Sequence, residues 1–132
     1  MAKKKPKVDW GPMGAFSIPK RVMDLEDFRT LSPSAKTVLL ALGFQYNGKN
    51  NGNLSATHNT MQEWGGMAKA TLAKSLRELQ DRNLIMKTRQ NQHGREGARC
   101  ALYAFTWAPI DDCPGKMLDV TPTITAPRKL SG

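Results

Sequence analysis

The sequence predicts an α+β fold in which three helices precede a β-hairpin. Three stretches carry apolar residues at helical spacing, and after Asn83 the spacing changes to the alternation typical of strands. Gly65 and Gly66 leave only a tight turn between the second and third helices, and a polar loop separates the two strands. This order of elements predicts a winged helix-turn-helix, in which the hairpin is the wing.

The first helix is predicted over roughly residues 33–46. Ser32 is a favourable N-cap, and Pro33 suits the first helical position. The asparagines and glycines of the following YNGKNNG stretch favour a turn with left-handed backbone. Apolar residues at helical spacing predict one buried face, made of Ala35, Val38, Leu39, Leu42 and Tyr46.

The second helix is predicted to be short, and the third to span roughly residues 69–82. Ser55 and Thr57 are the candidate caps of the second helix, and Asn83 is a plausible stop for the third. The third helix should turn one apolar stripe towards the core, made of Leu72, Leu76 and Leu79.

Two strands are predicted from LIMKTRQ and RCALYAFTW, with NQHGREGA as the polar loop between them. The segment around Leu54 is predicted to add a small third strand. The last strand carries alternating aromatic rings, which favour core packing over a stacking platform for unpaired bases: Tyr103, Phe105 and Trp107.

The chain divides into three regions by composition. Residues 1–15 are predicted to be a flexible basic arm, with Trp10 as a possible anchor, and residues 16–108 the folded domain. Phe16 is the second possible anchor. Residues 109–132 are rich in proline and are predicted to be an extended tail that either wraps around the domain or stays mobile.

The overall charge points to a polyanionic partner. The formal net charge is +9, from 20 basic and 11 acidic side chains. No apolar run approaches the roughly 20 residues that span a membrane, so we expect no membrane partner and a cytoplasmic, nucleoid-associated protein. Cys100 and Cys113 are too few for a disulfide scaffold.

The sequence offers no recognisable catalytic or cofactor motif. We find no nucleophile–base pair, no phosphate-binding glycine loop and no metal-ligand spacing. With only two histidines, a zinc site would need ligands scattered along the chain. We therefore expect neither an enzyme nor a cofactor.

The third helix is predicted to turn a basic, small-sided face to solvent. With the leucines inward, a rotation of about 100° per residue brings Ala70, Lys74, Arg77 and Asp81 to the opposite side, flanked by Lys69 and Ala73. Small side chains let a backbone approach, and the cations reach phosphates or base edges, so this face suits a DNA major groove. The alternative is a solvated face with a Lys74–Glu78 pair at helical spacing.

Two further basic patches accompany this helix. The predicted wing, residues 88–99, would lie on the adjacent backbone or minor groove. Its candidate DNA contacts are Arg89, Gln92, His93, Arg95 and Arg99. The arm adds Lys3, Lys4 and Lys5, which suit phosphates or a minor groove. Taken alone, each patch is also compatible with a solubilising hairpin or a disordered tail.

Three segments carry a resemblance that covers about residues 16–112: LSPSAKTVLLALGFQYNGKNNGNLS, GMAKATLAKSLRELQDRNLI and ALYAFTWAPIDD. They resemble a family of small bacterial and prophage-encoded winged helix-turn-helix DNA-binding proteins, described as replication-protein-like or regulator-like. The YNGKNNG turn is the most specific part of this resemblance.

The resemblance implies that Lys69 and Thr71 begin the recognition helix near DNA and that Lys74 and Arg77 lie along the groove. The chain departs from the family at Ala68, where a serine N-cap is common, and at Ala73, where arginine is common. Both departures remove polar side chains, so we expect backbone contacts and DNA shape to dominate over base-specific contacts.

The leading hypothesis is a double-stranded DNA-binding protein, either a small transcriptional regulator or a replication accessory of a mobile element. The alternatives are a protein-interaction module that docks a replication or transcription protein, and a binder of single-stranded nucleic acid or RNA. A homodimer is also possible, because many helix-turn-helix proteins bind DNA as two-fold pairs.

Overall fold

The computed structural model describes residues 8–94, 97–116, 118–123 and 125–128, without the side chains of residues 92–94 and 97–99. Within this part of the chain the class is α+β, as predicted. The helices are α1 (Lys20–Met23), α2 (Glu26–Arg29), α3 (Pro33–Gln45), α4 (His58–Gln62) and α5 (Lys69–Asp81). The strands are β1 (Ile85–Arg89), β2 (Gln92–Gly94), β3 (Gly97–Arg99) and β4 (Leu102–Phe105).

Helix α3 begins as its sequence predicts. The Ser32 hydroxyl accepts a hydrogen bond from the Ala35 N–H at 3.2 Å, and Pro33 occupies the first turn. The helix ends at Gln45, one residue before the predicted end. Its predicted apolar face is confirmed: four members are buried and Tyr46 is partly buried, the buried ones being Ala35, Val38, Leu39 and Leu42.

Helices α1 and α2 lie outside the sequence predictions. Each has four residues, which is too short for a helical period to be visible. Val22 of α1 is buried in the core, and Phe28 of α2 packs against it. These two short helices close the side of the core next to the start of α3.

Helix α4 is capped by Thr57, whose hydroxyl accepts a hydrogen bond from the Thr60 N–H at 3.1 Å. The turn that follows uses left-handed backbone at Gly65, with φ +95°, and at Gly66, with φ +78°. Helix α5 ends at Asp81, one residue before the predicted end, and Asn83 acts as the predicted stop with a left-handed φ of +54°.

The buried face of α5 is rotated relative to the predicted leucine stripe. Leu72 and Leu79 are buried as predicted, but the third buried residue is Ser75, while Leu76 is only partly buried. At about 100° per residue, Leu79 lies between Leu72 and Ser75 around the helix, whereas Leu76 lies on the other side of Leu72, where it lines a cleft towards the sheet. The helix packs on α3 through this face.

Strands β1 and β4 pair antiparallel, with Ile85 opposite Phe105. The predicted third strand is reduced to a single bridge, in which Leu54 and Tyr103 exchange backbone hydrogen bonds of 3.2 and 2.7 Å. The β1–β4 register shifts between Lys87 and Arg89, so Thr88 occupies an irregular position in the strand.

The prediction that only a polar loop joins the two strands is wrong in part. Its residues include β2 and β3, which pair antiparallel, with Gln92 opposite Arg99. The two strand pairs are separated because the Asn91 side-chain oxygen accepts the Ala101 N–H at 2.8 Å, in place of a backbone partner. Strand β4 therefore begins at Leu102 rather than at Arg99.

Asn51 is the most connected polar residue of the core, and it is fully buried. Its Nδ2 donates to the carbonyl oxygens of Phe105, Ala108 and Pro109 at 3.0, 3.2 and 2.9 Å. Its Oδ1 accepts the Phe105 N–H at 2.7 Å, and its backbone N–H donates to Asp111 Oδ2 at 2.7 Å. The YNGKNNG turn is thereby joined to the end of β4 and to the start of the C-terminal segment.

The described residues of the C-terminal segment wrap around the domain, which is one of the two alternatives left open by the sequence. Ile110 is buried, so the core extends beyond residue 108. The Asp119 N–H donates to the Thr88 carbonyl oxygen at 2.6 Å, and the Arg128 N–H donates to that of Thr106 at 2.7 Å. We call residues 109–116, 118–123 and 125–128 the C-terminal strap.

We predict that Asn51→Ala lowers the free energy of unfolding by about 3 kcal/mol or more, because the Phe105 N–H and several carbonyl oxygens would lose their partner in a buried site. Urea unfolding followed by circular dichroism measures this. The matched control is Asn47→Ala in the same turn, since exposed Asn47 accepts only the Lys49 N–H through its side chain. Similar losses for both variants would contradict the central role of Asn51.

Candidate nucleic-acid interface

The solvent face of α5 carries the residues that the sequence placed there. Lys69, Ala70, Ala73, Lys74 and Arg77 are all exposed. Thr71 is partly buried, and Asp81 is exposed at the C-terminal end of the same face. The first three turns of this face therefore combine cations with methyl side chains, and its only carboxylate lies in the last turn.

The N-terminus of α5 has no side-chain cap. Ala68 holds the N-cap position with extended backbone, at φ −63° and ψ 150°, and offers no hydroxyl or carboxylate to the first amides. The first-turn N–H groups and the ammonium of Lys69 share this exposed end of the helix. Uncapped amides at a helix N-terminus favour an anionic group there.

Glu78 does not neutralise the face, although it lies four residues after Lys74. Its Oε2 accepts the Ser32 N–H at 2.8 Å, so the carboxylate turns towards the start of α3. Among the described residues, Lys74 and Arg77 have no ion-pair partner. The predicted alternative of a Lys74–Glu78 pair is thus not formed, and the same bond fixes α5 against α3.

A cleft of about 400 Å³ lies between α5 and the β1–β4 sheet. Arg77 and Asp81 line it from the helix, and Lys87 and Tyr103 line it from the two strands. The Lys87 ammonium lies 6.0 Å from the centre of the Tyr103 ring. Cations from two different elements therefore meet at one cleft, with one carboxylate among them.

The structure describes the remaining predicted DNA contacts only in part or not at all. The backbone of Gln92, His93 and Arg99 lies in β2 and β3, but their side chains are outside the described part. Arg95 and the arm residues Lys3, Lys4 and Lys5 lie outside the described residues. Their assignment to DNA contact stays a prediction from the sequence.

Arg89 is the exception, because the structure places it inside the protein. Only 6 % of the residue is exposed, and its guanidinium donates to the carbonyl oxygens of Lys116 and Cys100 at 2.9 and 2.7 Å. Its Nε has no hydrogen-bond partner among the described residues. The prediction of Arg89 as an exposed wing contact is therefore wrong: the irregular register at Thr88 and the C-terminal strap bury it.

The aromatic rings of β4 pack inward, as predicted. The Phe105 ring stacks on Trp107 at 4.5 Å and on Phe16 at 5.3 Å, and Tyr46 meets it edge-on at 5.8 Å. The anchor role of Phe16 is confirmed, whereas Trp10 remains mostly exposed. These core rings are not available to stack on unpaired bases.

The thiols and acidic groups form no obvious reactive centre. Cys100 is exposed, while burial and then the carboxylates of Asp111 and Asp112 raise the pKa of Cys113, which disfavours its nucleophilic thiolate. In the described ranges no three metal-ligating side chains of His, Cys, Asp or Glu converge. No helix among the described residues is long and apolar enough to cross a membrane.

Comparison with protein-family models, curated protein sequences and solved structures gives no significant match for this chain. The resemblance to prophage-type DNA-binding proteins consequently stays a prediction from the sequence.

We predict that Arg89→Ala lowers the free energy of unfolding by about 2–4 kcal/mol, because it empties a buried site and leaves two carbonyl oxygens without a donor. Lys87→Ala, two residues earlier in β1, should cost less than about 1 kcal/mol, since its ammonium makes only a weak ring contact. Urea unfolding compares the two. A larger loss of stability for Lys87→Ala than for Arg89→Ala would contradict the burial of Arg89.

The protein should lose stability in alkali. Burial raises the pKa of Tyr103, and the nearby Cys100 thiolate adds to the shift; burial and Asp111 raise that of Tyr46. The pKa values of both tyrosines are higher in the folded protein than in the unfolded chain. The stability that the neutral tyrosines contribute is therefore fully present below about pH 10, and it is lost as the pH rises through the folded pKa values.

Urea unfolding at several values between about pH 9 and pH 11.5 measures this loss. The Tyr103→Phe variant should lose less stability over that interval than the wild type does. An equal loss in both would mean that the Tyr103 hydroxyl ionises as freely in the folded protein as in the unfolded chain.

Proposed function

We propose that the protein binds double-stranded DNA through a winged helix-turn-helix domain. In this proposal α4 and α5 are the helix-turn-helix, α5 enters the major groove, and the hairpin over residues 88–99 lies on the adjacent backbone or minor groove. The observation that carries the proposal is the exposed face of α5, where Lys69, Lys74 and Arg77 project without a local carboxylate partner.

The order and packing of the elements support this fold assignment. Helix α5 follows α4 after a glycine turn, packs on α3 through Leu72 and Leu79, and leads directly into the hairpin. The Leu54 bridge adds a third backbone segment to the β1–β4 pair. In such domains the second helix of the motif is the one that meets the groove.

The chemistry of the α5 face favours contacts to phosphate and to groove shape. Ala70 and Ala73 present only methyl groups, which allow close approach but make no hydrogen bond to a base edge. The uncapped amides after Ala68 and the ammonium of Lys69 suit a phosphate at the helix end. We therefore propose modest sequence discrimination, with affinity coming mainly from the backbone of the duplex.

The cleft between α5 and the sheet fits the same proposal. Arg77 lines it from α5 and Lys87 lines it from β1, as a phosphate passing between the helix and the hairpin would require. Asp81 in the same cleft repels an anion, so the phosphate would lie closer to Arg77 and Lys87 than to Asp81. The cations of this cleft come from both α5 and β1, whereas a solvated helix face would account only for the cation of α5.

The proposed role is that of a small transcriptional regulator or a replication accessory of a mobile element, acting at the nucleoid. This role is drawn from the resemblance of the YNGKNNG turn and of the α5 segment. We propose no cofactor and no catalytic activity.

A protein-interaction domain is the second candidate. It is favoured by a group of exposed apolar side chains on the N-terminal segment and on α3, namely Trp10, Met13, Leu40 and Phe44. A binder of single strands is less well supported, because the rings of β4 pack in the core.

We predict that the Lys74→Ala, Arg77→Ala double variant binds a random-sequence duplex about tenfold or more weakly than the wild type. Two lost phosphate contacts should also reduce the slope of log affinity against log salt by about two. Fluorescence anisotropy with a labelled duplex, titrated at several salt concentrations, measures both quantities. The melting temperature should be unchanged, because both side chains are exposed.

The matched control is Lys36→Ala, Lys49→Ala, which removes the same charge from α3 and from the loop after it. The slope of log affinity against log salt for this control should stay near that of the wild type. If about six to ten cations contact phosphates, wild-type affinity should fall by about 10³–10⁵ between 50 and 200 mM salt. Equal effects of the two double variants, or equal affinity for duplex and single strand, would count against α5 as the groove-binding helix.

A further inference from the structure

Four large apolar side chains lie exposed on one region of the protein. Trp10 and Met13 come from the N-terminal segment and are 58 % and 78 % exposed, and Leu40 and Phe44 come from α3 and are 49 % and 62 % exposed. Leu40 and Phe44 are one helical turn apart and share a face of α3. We call these four residues the apolar patch.

The apolar patch borders a groove of about 300 Å³ between the N-terminal segment and the end of α3. Its lining contains no charged residue and includes Trp10, Met13, Phe16, Phe44 and Tyr46. Close packing lies beside it: a Cβ atom at Gly43 would collide with the Phe16 ring, so only glycine lets this segment rest on the helix.

We propose that the apolar patch is a two-fold interface with a second copy of this chain. A two-fold interface needs a surface that is complementary to itself, with a protrusion and a recess side by side. Met13 is the most exposed of the patch residues and stands at the rim of the groove, which offers the matching recess. The Met13 side chain of each protomer enters the groove of the other.

The size of the patch suits this partner. Large aromatic side chains offer roughly 150–250 Å² each when fully exposed, and Met13 and Leu40 offer less, so at these exposures the four residues present on the order of 400 Å² of apolar area. A stable interface buries about 800 Å² on each partner, so the patch supplies about half of the area that a dimer needs. Isolated apolar patches of this extent on a monomer mark interaction sites.

The charge distribution directs the approach of a second copy to this surface. Each protomer carries a formal charge of +9, so association through its basic faces is opposed by repulsion. The groove is the uncharged region where two such chains can approach. An acidic protein partner would instead be drawn to the basic face of α5.

The apolar patch and the basic face point away from the core on two different helices. Leu40 and Phe44 are about 150–170° around α3 from the mean direction of the buried Ala35, Val38 and Leu42. On α5, Lys74 and Arg77 lie on the side away from the buried Leu72 and Leu79. In this proposal, a two-fold dimer through the patch turns its two α5 faces outwards, in opposite directions. Resting on the proposed function, this dimer joins two separate duplexes rather than reading adjacent half-sites on one.

The interface is tested first without DNA, by sedimentation equilibrium of the full chain from about 1 to 200 µM. The wild type should dimerise, and the dimer should become tighter as salt rises, because screening reduces the repulsion between like-charged protomers. Met13→Glu and Phe44→Glu should each raise the dissociation constant about 30-fold or more. A monomer throughout this range would overturn the proposal and leave another protein as the occupant of the patch.

The control is Met23→Glu, which makes the same change at an exposed methionine of α1 that does not line the groove. It should leave the dissociation constant within about twofold of the wild type. Melting temperatures of all three variants identify any that unfold. Equal weakening by Met13→Glu and Met23→Glu would mean that net charge, not the apolar patch, governs association, and would also overturn the proposal.

The bridging geometry is tested with a biotinylated duplex on beads and a fluorescent second duplex in solution. The wild type should retain the second duplex, while Met13→Glu should lose retention yet keep its affinity for one duplex by anisotropy. A dimer that binds no duplex would overturn the DNA-binding function and the bridging but support the interface. A dimer that binds one duplex without retaining the second would overturn the outward orientation.

Discussion

The side-chain amide of Asn51 joins the YNGKNNG turn to the end of β4 and to the start of the C-terminal strap. Its Nδ2 and Oδ1 bond the backbone of both segments, and the Asn51 residue itself is fully buried. Buried amide groups with all partners present fix backbone geometry strongly, because any displacement leaves polar atoms unpaired. The turn before Leu54 is thereby tied to the sheet.

The same turn reaches the hairpin through Gly52. The Thr88 hydroxyl donates to the Gly52 carbonyl oxygen at 2.6 Å, at the point where the β1 register shifts. At Gly52 φ is +124°, and a Cβ there would lie 3.3 Å from Leu118 of the strap, so glycine suits both the backbone and the packing. The direction in which the hairpin leaves the domain thus depends on a loop that precedes it by more than thirty residues.

The C-terminal strap completes this arrangement. Its carbonyl at Lys116 accepts from Arg89, and its Asp119 pairs with the backbone of Thr88 and Gln90. A two-stranded ladder with one added bridge is a small sheet, and the strap covers a strand end that would otherwise expose backbone groups. The cation of Arg89 is held by carbonyl dipoles, so a basic residue in the hairpin serves packing rather than a ligand.

The features predicted correctly from the sequence are those decided by neighbours within a few residues. Ser32 and Thr57 cap their helices, Asn83 ends α5, and helical spacing identifies the buried face of α3. Arg89 could not be predicted, because its burial depends on carbonyl groups 11 and 27 residues away. The irregular register beside Thr88 gives no signal in a pattern of alternating side chains.

The candidate site also combines features decided by near neighbours in the sequence with features decided by distant residues. The exposed side of α5 follows from helical spacing, so its basic residues were predicted. Two other features required the three-dimensional structure: the turn of Glu78 towards Ser32, 46 residues away, and the meeting of Lys87 with Arg77 across the cleft. The asparagines of YNGKNNG were interpreted as turn formers, but the turn also supplies the central polar contact of the core through Asn51.

The basic face of α5 and the apolar patch respond oppositely to salt. Helix α3 presents Ala35, Val38 and Leu42 to the core, and on its other side it presents Leu40 and Phe44 to solvent. A chain with exposed rings risks uncontrolled association, and a net charge far from zero opposes it. Salt or a polyanion that offsets this charge weakens the repulsion at the apolar patch.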